Sequence, residues 1–180
     1  MSFDRTLRYG KAAESAIASW LRAKGWAVLP VYEKLLDEGK GPQLLLPEGE
    51  VIAPDLLVFR CLKGGKQVYW VEAKHKTAFS WHRATERWVT GIDLRHYENY
   101  CLVDDLSVWP VWLMFWHDGG QAKDSPANSP AGLFGNKLSV LRKNENHRHR
   151  NWGKSGMVYW AIESLRHLHP SPKFQDEVDL

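Results

Sequence analysis

Cysteine is nearly absent from this chain: Cys61 and Cys101, far apart, are the only two in 180 residues. They form neither a CxxC pair nor a disulfide framework, so a disulfide-stapled secreted fold is excluded and a reducing compartment is expected. No run of about 18 apolar residues occurs, so nothing in the sequence is built to span a bilayer as a helix. The opening Met-Ser-Phe-Asp-Arg has no apolar stretch of the secretory-signal kind, and the expected location is cytoplasmic. There is no internal repeat. Strong net charge is also lacking; the formal value of +3 by itself selects no partner.

What is there is an ordinary globular share of apolar residues, 44%, and an unusual ten tryptophans. Most of these tryptophans are expected in the core or packed on the surface, and a few are candidates for stacking on unpaired bases. The charges are segregated. Arg60–Arg95 holds eight Lys or Arg against three acids, and Val140–Lys173 holds seven against two. The acids gather at Glu33–Glu50 and in the last residues. Such segregation suits a polyanion-facing surface, although charge runs also serve as plain solvated faces.

Residues 4–24 read as a helix, because Leu7, Gly10, Glu14, Ile17 and Leu21 recur at 3-4 spacing and Ala13, Ala16 and Trp20 widen the stripe. Gly25 ends it. Trp26–Tyr32 reads as a first strand and Glu33–Glu50 as a loop. Val51–Cys61 and Gln67–Ala73 read as strands of a hairpin turning at Gly64-Gly65, where both glycines can take positive φ. Lys74–Ile92 has no clear pattern. Asp93 is a fitting N-cap for a helix through about Asp104. Trp109–Trp116 reads as a strand buried on both faces. Gly119–Gly132 reads as a loop, Leu133–Val140 as a short strand and Lys143–Ser155 as a basic loop. Met157–Ala161 is the expected last strand and Ile162–His169 the expected last helix. This order gives an α/β chain with a central mixed β-sheet flanked by helices.

The hairpin carries the chemistry. A two-residue Gly64–Gly65 turn pairs Lys63 with Lys66, sets Leu57 opposite Glu72 and sets Asp55 opposite Lys74. Side chains alternate faces, so Asp55, Glu72 and Lys74 point the same way. A four-residue loop keeps that parity; a three-residue loop breaks it. The flanking residues are apolar, and two carboxylates with an ammonium among them are costly unless paired or bound to metal. A divalent cation would relieve the carboxylate repulsion, and oxygen ligands favour Mg²⁺ or Mn²⁺ over Zn²⁺.

Pro54-Asp55 followed by Glu72-Ala73-Lys74 at the end of the next strand resembles the PD-(D/E)XK nuclease superfamily. The opening helix, with Gly10, Glu14 and then Gly25, is similar to its Holliday-junction-resolvase-like and phage or repair branches. The resemblance covers about residues 7–116 and implies a restriction-endonuclease-like core with a C-terminal extension. It implies a Mg²⁺-dependent deoxyribonuclease in which Asp55, Glu72, the Ala73 carbonyl and Glu14 serve the metal. Lys74 would orient or activate the attacking water. DNA is then the partner, a homodimer is the habit of junction-resolving relatives, and neither membrane nor organic cofactor is expected. On this basis residues 1–169 are one nuclease domain, with a core of about 4–116 and an elaboration at 117–169, and residues 170–180 form a mobile tail.

The surrounding candidates are less specific. His75 and Lys76 follow the lysine and could meet phosphate or only solvent. Arg83 and Arg87 lie among Trp81 and Trp88, an aromatic–basic segment that could hold unpaired bases or simply pack on the sheet. Arg148 and Arg150 alternate with His147 and His149 in a basic stretch suited to the phosphate backbone, or to solvent. These histidines with His167 and His169 invite a zinc reading, but no cysteine is near. The runner-up function is a nucleic-acid-binding or assembly module that keeps the fold without cutting.

Overall fold

The computed structural model describes residues 3–31, 42–47, 49–150 and 155–170, with side chains from Gly10 onward. Helix α1 (Phe3–Ala23) buries Ala13, Ile17 and Leu21, the spacing that the sequence predicts. Gly25 at φ 81° stops it. The Gly25 N–H donates to the Arg22 carbonyl and the Trp26 N–H to the Leu21 carbonyl, so the last carbonyls are satisfied by a Schellman-type end.

Strand β1 (Ala27–Pro30) opens a six-stranded mixed sheet with β4 (Leu56–Leu62), β5 (Gly65–Lys76), β8 (Val111–Asp118), β9 (Ala131–Lys137) and β12 (Arg166–His169), in the order β1-β4-β5-β8-β9-β12. The β5–β8 pair is parallel and every other neighbour antiparallel. That parallel pair needs a crossover, and helix α2 (Leu94–Leu106) lies within it. A second, antiparallel sheet orders as β10 (Glu145–His149), β11 (Met157–Ala161), β7 (Arg87–Asp93) and β6 (Ser80–His82).

Alternation along the central strands makes two cores. Val71 and Ala73 of β5 join Trp112, Met114 and Trp116 of β8 under α1. Leu113 and Phe115 face the other way, against Tyr97, Tyr100 and Val103 of α2, Leu138 and Leu141 of the short α3 (Leu138–Leu141), and Val158 and Trp160 of the second sheet. β8 is therefore buried on both faces, which is why it reads as an unbroken apolar run. Among the described residues no helix is long and apolar enough to cross a membrane.

Several local expectations are corrected. The hairpin pairs Leu62 with Gly65, so the turn is Lys63-Gly64 and the positive φ falls on Gly65. The register thus differs by two from the expected one, which leaves the parity of the faces intact. Val51–Cys61 is not continuous: β3 (Gly49–Ile52) ends before Pro54, which has no N–H to offer a ladder, and β4 begins at Leu56. Part of the expected loop is instead β2 (Gln43–Leu46), antiparallel to β3; residues 33–41 and 48 of that loop, and Tyr32 of the expected first strand, lie outside the described residues.

Further along, the unpatterned Lys74–Ile92 contains the β6–β7 hairpin, and the basic stretch 143–155 contains β10. The expected helix Ile162–His169 is a 3₁₀ turn (Ile162–Ser164) followed by β12. A short apolar–polar stretch of this length fits either period, and an open pairing edge on β9 decides for strand. The expected tail at 170–180 lies, beyond Pro170, outside the described residues.

Candidate active site

At the end of the β4–β5 ladder the chain brings Asp55, Glu72 and Lys74 to one cleft of about 320 Å³. The last ladder pair is Leu56–Val71, and one further step puts Asp55 opposite Glu72 rather than Lys74. Beyond that pair the Ala73 N–H is taken by the Asp55 side chain, donating to Oδ2 at 3.0 Å. Pro54 breaks the strand, and Asp55 supplies the acceptor that the broken strand does not.

Glu72 is fully buried. Its counter-charge is Lys74, whose ammonium contacts Oε1. Burial and the neighbouring Glu72 carboxylate push the Asp55 carboxyl up to about 7, against the opposing pull of Lys74 and the Ala73 N–H. Burial lowers the Lys74 ammonium, but Glu72 and Asp55 outweigh it and the net direction is upward. Two carboxylates thus share one cation in a partly desolvated pocket, with one carboxyl near neutrality.

Helix α2 closes the cleft with Arg95, His96, Asn99 and Tyr100. Asp93 caps the helix, its side chain accepting from the Arg95 N–H at 3.0 Å. The 95, 96, 99, 100 spacing puts these four side chains on one stripe. Asn99 Oδ1 accepts from the Ile52 N–H at 2.8 Å, which fastens the β2–β3 hairpin over the cleft and brings Gln43 and Glu50 to its rim. Burial and Lys74 lower the His96 imidazole. Burial and Glu72 hold the Tyr100 phenol well above its ordinary range. The sequence signal for this stripe was a capped helix directly after the motif; the hairpin lid gave none.

The other predicted residues are spread more widely. Glu14 lies on α1 and does not line the cleft, although burial and the Asp55 charge raise its carboxyl and Lys74 lowers it. No group of three or more His, Cys, Asp or Glu is arranged to hold a metal among the described residues. The Ala73 main chain enters the site through its N–H; its carbonyl was the expected ligand. His75 points to the opposite sheet face from Lys74, its Nε2 2.7 Å from Asp118 Oδ2. Lys76 lies two residues beyond Lys74 on the same strand, and burial and Lys74 push its ammonium down to about 8.

Arg148 donates to both Glu145 oxygens at 2.7 and 2.9 Å and lies over the Tyr97 ring, so it is already engaged within the protein. Arg150 is exposed just past His149, whose ladder partner Met157 pairs with Asp93 at the start of α2. Arg83 and Arg87 sit at the far end of β7, roughly 20 Å along the strand from Asp93, and Trp81 and Trp88 stack edge-to-face at 5.3 Å on each other. His147 is sandwiched between His82 and Tyr159, at 3.9 and 4.5 Å, and His167 stacks on Phe134 at 4.6 Å. These rings serve as packing surfaces.

Two solved structures align with this chain at low similarity. The Holliday junction resolvase Hjc of Archaeoglobus fulgidus, an archaeal hyperthermophile, aligns at TM-score 0.47 and 9% identity over 91% of this chain and 97% of its own. A nuclease from a fusselovirus aligns at TM-score 0.44 and 13% identity, over 93% of this chain and 88% of its own. No protein-family model and no curated protein matches the sequence.

Proposed function

We propose that the chain is a Mg²⁺-dependent deoxyribonuclease, with Asp55 and Glu72 holding the metal and Lys74 beside it. The observation that carries this reading is Glu72. A fully buried carboxylate beside a second carboxyl pushed up to about 7, the two sharing the Lys74 ammonium, is an expensive arrangement for folding alone. Mg²⁺ is commonly held by one or two carboxylates, keeping several waters. The donor set therefore fits the ion: Asp55 and Glu72 would hold it, with Glu50 at the rim and no third carboxylate required. Bound there, the cation supplies Lewis-acid polarisation of a phosphoryl oxygen and offsets the developing charge.

The chain's own groups do the rest. The Ala73 N–H fixes the Asp55 carboxylate in one orientation, and the Glu72–Lys74 contact keeps the ammonium at the cleft. Lys74 serves as a donor and positive charge toward the scissile phosphate or the attacking water. Arg95 offers a second cation on the facing wall. Glu14 acts from α1 through its charge, as a partner for the metal's water shell.

Asp55→Asn and Glu72→Gln keep the volume and remove the charge. Both should lose cleavage of DNA by at least 100-fold in Mg²⁺ while retaining wild-type DNA affinity measured in Ca²⁺. Full cleavage by either variant would remove this assignment. Binding without cutting by the wild type would favour the non-catalytic module.

A further inference from the structure

We propose that a groove on the α1 face of the central sheet is a second nucleic-acid site, holding one or two unpaired nucleotides of a single strand. The inference deepens the nuclease reading and rests on it for the choice of ligand. The groove is about 310 Å³ and lies between α1, β4, β5, β8, β9 and β12. Tyr69, on its floor, precedes Glu72 by three residues on β5, so the two side chains point to opposite faces about 10 Å apart along the strand. The groove is thus separate from the cleft, on the other face of the same strand.

Its chemistry is one-sided. Four aromatic side chains line it, Trp20, Trp26, Tyr69 and Trp112, and no acid does. Three cations stand over those rings: Arg60 at 4.2 Å from Trp26, Lys137 at 5.8 Å from Tyr69 and Arg166 at 6.0 Å from Trp112. Arg60 also donates to Gln67 at 3.0 Å, yet none of the three has a carboxylate partner among the described residues. The indole N–H groups of Trp20 and Trp112 are buried without an acceptor among those residues.

A ligand that suits this set is anionic, rich in acceptor oxygens and flat. Unpaired nucleotides meet all three conditions, since their bases stack on aromatic rings and guanidinium planes while their phosphates meet the cations. A duplex carries the charge and the acceptor oxygens but hides its base faces.

The test is fluorescence anisotropy of a labelled oligothymidylate 12-mer and of a matched duplex, in EDTA so that cleavage plays no part. The variants are the double Lys137→Glu/Arg166→Glu and, as a charge-matched control away from the groove, Lys123→Glu/Lys143→Glu. The groove double variant should raise the Kd for the single strand at least tenfold and flatten the salt slope by about 1.4, the value for two lost phosphate contacts. The control should stay within threefold. Single-strand binding within twofold of wild type, or an equal loss in the control, overturns the site. Equal losses for single strand and duplex overturn the single-strand assignment. Cleavage is scored separately, so a catalytically silent protein that binds through the groove fails the nuclease reading and keeps this one.

Discussion

Asp55 is where the residue-scale account is most exposed to measurement. Its folded carboxyl lies near 7 against an ordinary value of 3.8. As pH rises from about 4 to about 7 the unfolded chain releases this proton while the folded chain keeps it. The unfolded state then binds fewer protons, so the metal-free protein loses stability across that window. Asp55→Asn removes the titration. In EDTA its stability relative to wild type should increase from pH 5 to pH 8 by about 2 kcal/mol, read from urea melts; an unchanged difference would mean that Asp55 ionises freely. Mg²⁺ should correspondingly stabilise the wild type more at pH 8 than at pH 5.5, because the ion competes with the proton for the same oxygens.

The two predicted phosphate contacts of β10 separate at this scale. Arg150→Ala should weaken DNA binding and reduce the salt slope by about 1 with little effect on melting. Arg148→Ala breaks a two-bond pair to Glu145 and a contact with Tyr97, so it should cost about 1–2 kcal/mol of stability instead. Equal melting of the two variants would contradict this division.

Among elements, the β4–β5 hairpin decides the site, and its turn can be tested by two neighbouring glycines. Gly65 alone of the pair has positive φ, at 123°, and a Cβ on Gly64 would meet nothing within 4 Å. Gly64→Ala should leave stability within about 0.5 kcal/mol, whereas Gly65→Ala should cost about 1 kcal/mol or more, by thermal unfolding. The opposite ranking would favour the Gly64–Gly65 turn that the sequence suggests. The site's three charged residues were legible in the sequence because period-two alternation survives a register error of two. Helix α1 was legible from its 3-4 stripe, α2 from Asp93, and β8 from its apolar run. β2, β6, β10 and β12 were not: Arg166-His167-Leu168-His169 carries no period, and its strand state is imposed by β9. The α2 wall of the cleft was half legible, as polar residues on the next helix, and the Asn99–Ile52 bond that closes it joins segments 47 residues apart.

For the whole molecule, the central sheet separates two surfaces of different chemistry. One face meets α2 and the second sheet and carries the acidic pair with its lysine; the other meets α1 and carries the aromatic and cationic groove. Part of the charge segregation seen in the sequence is spent within the protein, where Arg142 pairs with Asp105 and Arg148 with Glu145.

The central claim, that the acidic pair is a metal-dependent cutting centre, is most directly tested by incubating the wild-type chain with labelled duplex, single-strand, flap and four-way-junction DNA in Mg²⁺, Mn²⁺ or EDTA. The account predicts cleavage of at least one substrate in either metal and none in EDTA. Cleavage that persists in EDTA, or binding in every lane with cutting in none, would contradict it.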